Sequence, residues 1–282
     1  MNLENRICPI CDNKEAVSLW NGYVKCVLCG CIYVKNVKSV SYEDNYYYFD
    51  SREKERLDMR AKKLFKILSK YVKNGFLIDY GCASGEFVNF AFKNGFEVVG
   101  TDISSYALKN ADSNIQDKLL LLDDFKKKFN KKADVITMWD VLEHLDSPID
   151  KLKELKPYLK IGGKIIISTP NVESFWAKFL KKEWHGFNIP QYHITYFNKK
   201  NITKIFNSAS YKCISVYSIN PMSPLFLIKN SAVGLTRVIF RKDKRILYAI
   251  VAGIIFIPDK ILELIAPFFN FAETLIVVAE NN

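Results

Sequence analysis

Two cysteine pairs open the chain: Cys8 and Cys11 in Cys-Pro-Ile-Cys, and Cys26 and Cys29 in Cys-Val-Leu-Cys, with fourteen residues between them. Each Cys-x-x-Cys turn aims two thiolates at one point, and two such turns supply a tetrahedral four-sulfur site, most naturally for zinc. A redox dithiol needs only one such turn, and burial of apolar cysteines does not explain the doubled spacing. Between the pairs, Ser18-Leu19-Trp20 and Tyr23-Val24-Lys25 are expected to form a hairpin across Asn21-Gly22, a dipeptide suited to a two-residue turn. Four closed ligands leave no open position for catalysis, so a ribbon over residues 1–40 has a structural role. Cys31 is a spare thiol or an alternate ligand, and Cys82 and Cys213 read as packing residues.

A second group with chemical potential lies in Leu77-Ile78-Asp79-Tyr80-Gly81-Cys82-Ala83-Ser84-Gly85, a strand running into a glycine turn. Gly81 and Gly85 permit tight turning and close backbone approach to a ligand. The spacing is not the dinucleotide G-x-G-x-x-G, and Asp79 would repel a pyrophosphate; an acid there suits a ligand carrying an ammonium group. Val98-Val99-Gly100-Thr101-Asp102 ends a further strand on a carboxylate, where nucleotide-binding sheets meet a ribose diol. Asp102 alone could merely cap the next helix, but paired with Asp79 it marks a nucleoside site. The three histidines, His144, His185 and His193, follow, and a side chain with an unperturbed pKa of about 6.5 is a natural base.

The elements that must position these groups alternate. Strands are expected at 77–80, 97–102, 119–122, 135–140 and 164–169, with helical patterns starting near Glu86, Ser105 and Ile149. Such alternation predicts an α/β fold, a doubly wound parallel sheet with helices on both faces. Ahead of it, a charged helix is expected over 51–72, with Leu57, Ala61, Leu64, Phe65 and Leu68 on one face. The aromatic run Tyr42, Tyr46, Tyr47, Tyr48 and Phe49 is either a lid or packing between ribbon and sheet. The domain reading is a ribbon over 1–40, an aromatic linker and helix over 41–75, and the α/β domain over 76–282.

Near the end, 211–220 and 274–279 read as a closing antiparallel pair of strands, separated by an insertion at about 224–272. The insertion carries Arg237, Arg241, Lys242, Lys244 and Arg245, then apolar and phenylalanine-rich stretches. A dimer interface or helical cap competes there with an in-plane membrane-surface element. The longest uncharged apolar run, Ile246 to Pro258, is well short of the roughly 20 residues needed to span a bilayer. With 282 residues, 49% of them hydrophobic, the chain excludes disorder and small disulfide scaffolds. A net charge of +11 favours an anionic partner without choosing among phosphate, nucleic acid and membrane. The N-terminus lacks an apolar signal region, so the expected location is cytoplasmic, with the inner membrane face as a peripheral alternative.

The stretches IDYGCASGEF, VVGTDIS, ADVITMWDVLEHLDSP, LKPYLKIGGKIIISTPN and HGFNIPQYHITYF, in this order, resemble the class I S-adenosylmethionine (SAM)-dependent methyltransferases. The pair D-V-L-E-H-x-D-x-P and G-G-K-x-x-x-x-T-P-N resembles a small-molecule and surface-sugar subgroup, here carrying a zinc ribbon. The resemblance implies a Rossmann-like sheet and SAM as cofactor. It implies Asp79, Gly81 and Gly85 around the methionine part, Asp102 on the ribose and Ile103 under the adenine. Asp123 or Asp124 would accept from the adenine amino group, and Trp139 and Asp140 would line the sulfonium side. His193 matches a subgroup histidine and is the candidate catalytic or substrate-orienting residue; His144 is either catalytic or packed beside the cofactor, and His185 is a loop contact. Asp140-x-x-Glu143-His144 resembles the E-x-x-E-H run of the ubiquinone-pathway O-methyltransferases, which is associated with a divalent cation, with Asp140 in place of the first glutamate.

The implied reaction is methyl transfer to a small molecule, foremost a hydroxyl of a sugar or surface-glycan precursor, with carbon as an alternative acceptor atom. The enzyme rival is a ribosomal-RNA methyltransferase, which ranks second because the ribbon ends in cysteine rather than histidine and the Asn/Asp-Pro-Pro-aromatic tetrapeptide is missing. A non-catalytic zinc-ribbon adaptor is the third reading, against which the intact Asp79, Gly81, Gly85 and Asp102 set argues.

Overall fold

The computed structural model describes residues 4–37, 51–187, 189–219 and 272–282. The tyrosine run at 42–49 and the basic and apolar parts of the expected insertion lie outside the described residues.

At the front, β1 (Ala16–Ser18), β2 (Tyr23–Cys26) and β3 (Ile32–Val34) form an antiparallel meander. Asn21 and Gly22 have φ of 52° and 79°, the paired left-handed conformations that a two-residue hairpin turn requires. The first strand covers 16–18 rather than the expected 18–20, because the ladder from Tyr23 back to Leu19 belongs to the turn.

The helix α1 (Ser51–Tyr71) follows and buries Ala61, Leu64 and Leu68, as its apolar spacing requires. The main sheet then begins: β4 (Phe76–Tyr80), α2 (Glu86–Lys93), β5 (Glu97–Asp102), α3 (Ser105–Lys109), β6 (Leu119–Leu121) and α4 (Leu122–Lys128). It continues through β7 (Ala133–Trp139), α5 (Pro148–Leu155), β8 (Leu159–Pro170), α6 (Phe175–Leu180), β9 (Thr195–Tyr196), α7 (Lys199–Ser208), β10 (Tyr211–Ile219) and β11 (Thr274–Asn281). Seven strands lie in the order β10-β11-β8-β7-β4-β5-β6. Pairings from β6 to β8 are parallel, and β11 runs antiparallel to both neighbours.

The central strands β4, β7, β8 and β11 are buried on both faces over most of their length, which is why they read as continuous apolar runs. Leu77, Val135, Ile166 and Ile276 pack with α1 and α2 residues such as Leu64, Leu68 and Val88. Ile78, Ile136, Ile165 and Val277 pack on the other side with Leu152 of α5 and Ile202 and Phe206 of α7. Strand β8 is longer than the expected 164–169. Its ladder jumps from Ala133–Leu159 to Val135–Lys164, so residues 160–163 bulge, with Gly162 at φ 75°.

The ribbon is joined to the rest through β9, which extends the meander from β3 with Ile32 opposite Tyr196 and Tyr33 opposite Thr195. Among the described residues, no helix is long and apolar enough to cross a membrane.

Candidate functional site

Strand order reverses beside β4, where β5 continues one way and β7 the other, and the crevice at the carboxyl ends there is the usual ligand position. A cavity of about 630 Å³ opens at this point, lined by Asp79, Gly81, Asp102, Ile103, Trp139, Asp140 and His144, with Arg56 and Arg60 of α1 at its side.

Asp79 is 2% exposed, and its Oδ1 accepts from Thr137 Oγ1 at 2.7 Å. Burial pushes its pKa up to about 7, against the opposing pull of the Thr137 hydrogen bond and the Arg60 charge. Asp102 accepts at Oδ2 from the Ala83 N–H (2.8 Å) and at Oδ1 from the Ser104 N–H (2.9 Å), which fixes the carboxylate at the cavity wall. Burial raises its pKa too, while those backbone donors resist. Ser104 in turn caps α3, its hydroxyl accepting from the Ala107 N–H at 3.1 Å. Asp102 therefore does not cap that helix with its own side chain.

The turn between β4 and α2 needs glycine at Gly81 for two reasons: φ is 79°, and a Cβ would come within 2.4 Å of Val141 Cγ2. Gly85 also has φ 79°, but its Cβ would meet Ile115 rather than the cavity. It shapes the start of α2 and does not line the cavity wall. Asp123 and Asp124 also fall outside the wall. Leu122 carries the chain directly from β6 into α4, so both acids lie in that helix's first turn, and Asp124 pairs with Lys128 at 3.0 Å. Leu122 lines the cavity instead.

The far wall is built on Asp140, a non-glycine residue at φ 55°. Ser168 holds it there: its hydroxyl donates to Asp140 Oδ1 at 2.6 Å and accepts from the Asp140 N–H at 3.0 Å. The other carboxylate oxygen pairs with Arg60 at 2.5 Å. Trp139 Nε1 and Thr101 Oγ1, both on residues of the cavity wall, are buried without a hydrogen-bond partner among the described residues. Two acids, an unpaired donor and a glycine turn thus fit a nucleoside that brings hydroxyls and an ammonium group.

Beyond Asp140 the chain makes a short 3-10 turn over Leu142–His144. Glu143 is fully buried, and its Oε2 accepts from Thr169 Oγ1 at 2.9 Å. Burial, reinforced by the Asp140 charge, holds its carboxyl well above the ordinary range. The rings of His144 and His193 meet edge to face with centroids 4.8 Å apart. Burial lowers the pKa of both, keeping the imidazoles neutral near pH 7. His193 is not part of the cavity wall and reaches it through His144. Glu143, His144 and His193 offer ligand atoms within 4.8 Å of one another, a donor set that a divalent cation would accept. His185 stacks beside Trp184, and burial lowers its pKa to about 4.

The Sγ atoms of Cys8, Cys11, Cys26 and Cys29 likewise lie within 4.8 Å of one another, with 3.4 Å between Cys8 and Cys29 and 3.6 Å between Cys11 and Cys26. Four sulfurs at about 2.3 Å from a zinc ion stand about 3.8 Å apart, so the set fits that metal. Cys31 is outside the group and donates to the Tyr196 carbonyl at 3.6 Å.

A family profile described as a methyltransferase domain matches residues 51–216, more than half of the chain. The chain belongs to this methyltransferase family. The ubiquinone biosynthesis O-methyltransferase of Actinobacillus pleuropneumoniae serotype 7 is 25% identical over 199 residues, covering 62% of this chain and 80% of that protein. The protein of the same name from Coxiella burnetii strain RSA 493 is 27% identical over 106 residues, 36% of this chain. That match spans 45% of the relative's length. The crystal structure of a SAM-dependent methyltransferase from Archaeoglobus fulgidus superposes with a TM-score of 0.57 at 16% identity, over 84% of this chain and all of that one, and so shares its fold.

For this methyltransferase, sequence reasoning missed Arg60, Thr137 and Ser168, which orient Asp140 and Asp79, and Leu122. Each hydroxyl looks like an ordinary strand residue. The α1 face containing Arg60 carries a readable signal, a basic residue one position before the buried Ala61.

Proposed function

We propose that this methyltransferase transfers the methyl group of SAM to a small-molecule acceptor, foremost a hydroxyl of a sugar or surface-glycan precursor. The observation that carries this reading is the pairing of Asp79 and Asp102 at the carboxyl ends of adjacent strands on one cavity. Bound there, SAM supplies an electrophilic methyl on a sulfonium. In this reading Asp79 meets the ammonium group, Asp102 the ribose hydroxyls and Ile103 the adenine, while Trp139 and Asp140 face the sulfonium. Gly81 lets the backbone turn beneath the ligand.

An in-line displacement needs alignment above all, and a hydroxyl acceptor must also lose its proton. His144, on the cavity wall, can take that proton, with the His193 ring packed edge to face behind it. The ubiquinone O-methyltransferase relatives support oxygen as the acceptor atom, and the cysteine set supports a structural zinc in the ribbon. Cytoplasmic placement and a C-terminal dimer or membrane contact belong to the same reading and rest on sequence alone.

The test is transfer of labelled methyl from SAM to three acceptor pools: nucleotide sugars, a low-molecular-weight cell extract and ribosomal RNA. Label in a small molecule supports the proposal, and label in RNA overturns the acceptor class. Folded protein that binds no SAM would instead be the adaptor. With the acceptor found, His193→Asn should lower turnover by about 100-fold or more while SAM affinity holds.

A further inference from the structure

We propose that the cysteine ribbon is the positioning element of the acceptor side, acting through Arg6 and Tyr23 on the His144–His193 pair. This rests on the methyltransferase reading above and names a role for the ribbon within it.

Arg6 leaves the ribbon just before Cys8 and sends its guanidinium between two loops of the main domain. Nη1 donates to the Ile194 carbonyl at 2.9 Å. Nη2 donates to the Asp146 carbonyl at 2.7 Å, to Thr195 Oγ1 at 2.9 Å and, more weakly, to the Leu145 carbonyl at 3.4 Å. The gripped residues begin immediately after each histidine: Leu145 follows His144, and Ile194 follows His193. A planar fork with fixed donors therefore sets the spacing of the two loops that carry the rings, which a single ammonium cannot do.

Three further contacts from the ribbon act on the same loop. The Tyr23 hydroxyl donates to the His193 carbonyl at 3.1 Å. The Val34 N–H donates to the Ile194 carbonyl at 2.9 Å, and β3 pairs with β9 directly beyond. Tyr23 also packs its ring on Phe187 and Tyr196, so the hydroxyl is held in place from behind. Within the main domain, the Ile194 N–H donates to the Glu143 carbonyl and the His144 Nδ1 lies 2.9 Å from the Tyr192 carbonyl, so the ribbon's bonds add to these internal ties. A ribbon that served only to cap the fold would not need its one partly buried arginine aimed at the residues flanking both histidines.

This chain has three histidines, so labelling the histidine ring Cε1 gives an NMR spectrum of three ring signals. Arg6→Gln should displace or broaden both the His144 and His193 signals, while affinity for S-adenosylhomocysteine stays within about twofold, since the cavity acids do not touch Arg6. Arg6→Lys should fail to restore them. Tyr23→Phe keeps the ring packing and should move His193 more than His144, which keeps the test decisive even if Arg6→Gln folds poorly. Unmoved signals in folded Arg6→Gln or Tyr23→Phe protein would overturn the proposal, as would full rescue by Arg6→Lys. SAM binding by the wild type is titrated in the same samples. Its absence would defeat the methyltransferase reading, whereas the ring signals test the clamp.

Discussion

The raised pKa of Asp79 makes SAM binding depend on pH in a calculable way. In the free protein this carboxyl titrates at about 7, because burial outweighs the help it gets from Thr137 and Arg60. Pairing with an ammonium group requires the ionised form. The ligand's α-amino group titrates at about 7.8 and must stay protonated. The competent fraction is the product of the two, roughly 0.5 at pH 7.4 and 0.09 at pH 6. Affinity should therefore peak between the two pKa values and fall about sixfold on going to pH 6, close to 1 kcal/mol. Calorimetry in buffers of different ionisation enthalpy should also find nearly one proton released per SAM bound at pH 6. Methylthioadenosine, which keeps the ribose and adenine but lacks the amino acid, should bind with no such acid limb. If SAM affinity changes by less than about twofold between pH 7.4 and pH 6 in folded protein, the assignment of Asp79 fails. If methylthioadenosine has the same slope, the titrating group is Asp102 or Glu86, whose pKa values burial also raises.

Asp79→Asn should stabilise the ligand-free protein at pH 8 while abolishing the acid limb. A carboxyl whose folded pKa is raised contributes stability below its unfolded pKa of about 3.9 and loses it as pH rises through about 7, so at pH 8 the ionised group is a net cost. Thermal melts should shift up by about 2–4 °C per kcal/mol relieved. The purified protein should carry one zinc per chain by mass spectrometry, and Cys8→Ser or Cys26→Ser should lose it with a fall in Tm. Gly81→Ala should cost about 2 kcal/mol or more in denaturant unfolding, from both the positive φ and the contact with Val141. Adding Val141→Ala should recover the steric part and leave the backbone part.

What the sequence reveals are features whose cause is local. The cysteine turns, the Asn21-Gly22 hairpin and the acids ending β4 and β5 are each set by residues a few positions apart, and each is found where spacing puts it. The strands are legible for the same reason, since burial on both faces leaves a run of apolar residues. Hidden are the partners that topology brings together: Arg60 and Asp140 stand 80 residues apart in sequence, and Arg6 and Ile194 stand 188 apart. No periodicity marks such pairs. Asp123 and Asp124 are not among the residues that line the cavity: strand β6 stops after Leu121 and a helix begins at once, which places both acids in its first turn. Gly85 has φ 79° and a Cβ there would meet Ile115, so its backbone conformation and packing already call for glycine.

The nucleoside crevice is tested most directly by a crystal structure of this chain with S-adenosylhomocysteine. Both ribose hydroxyls should lie on the Asp102 carboxylate and the ligand's ammonium group on Asp79, with the thioether sulfur facing Trp139 and Asp140. A ligand seated elsewhere, or one in the crevice that leaves both carboxylates untouched, would contradict it.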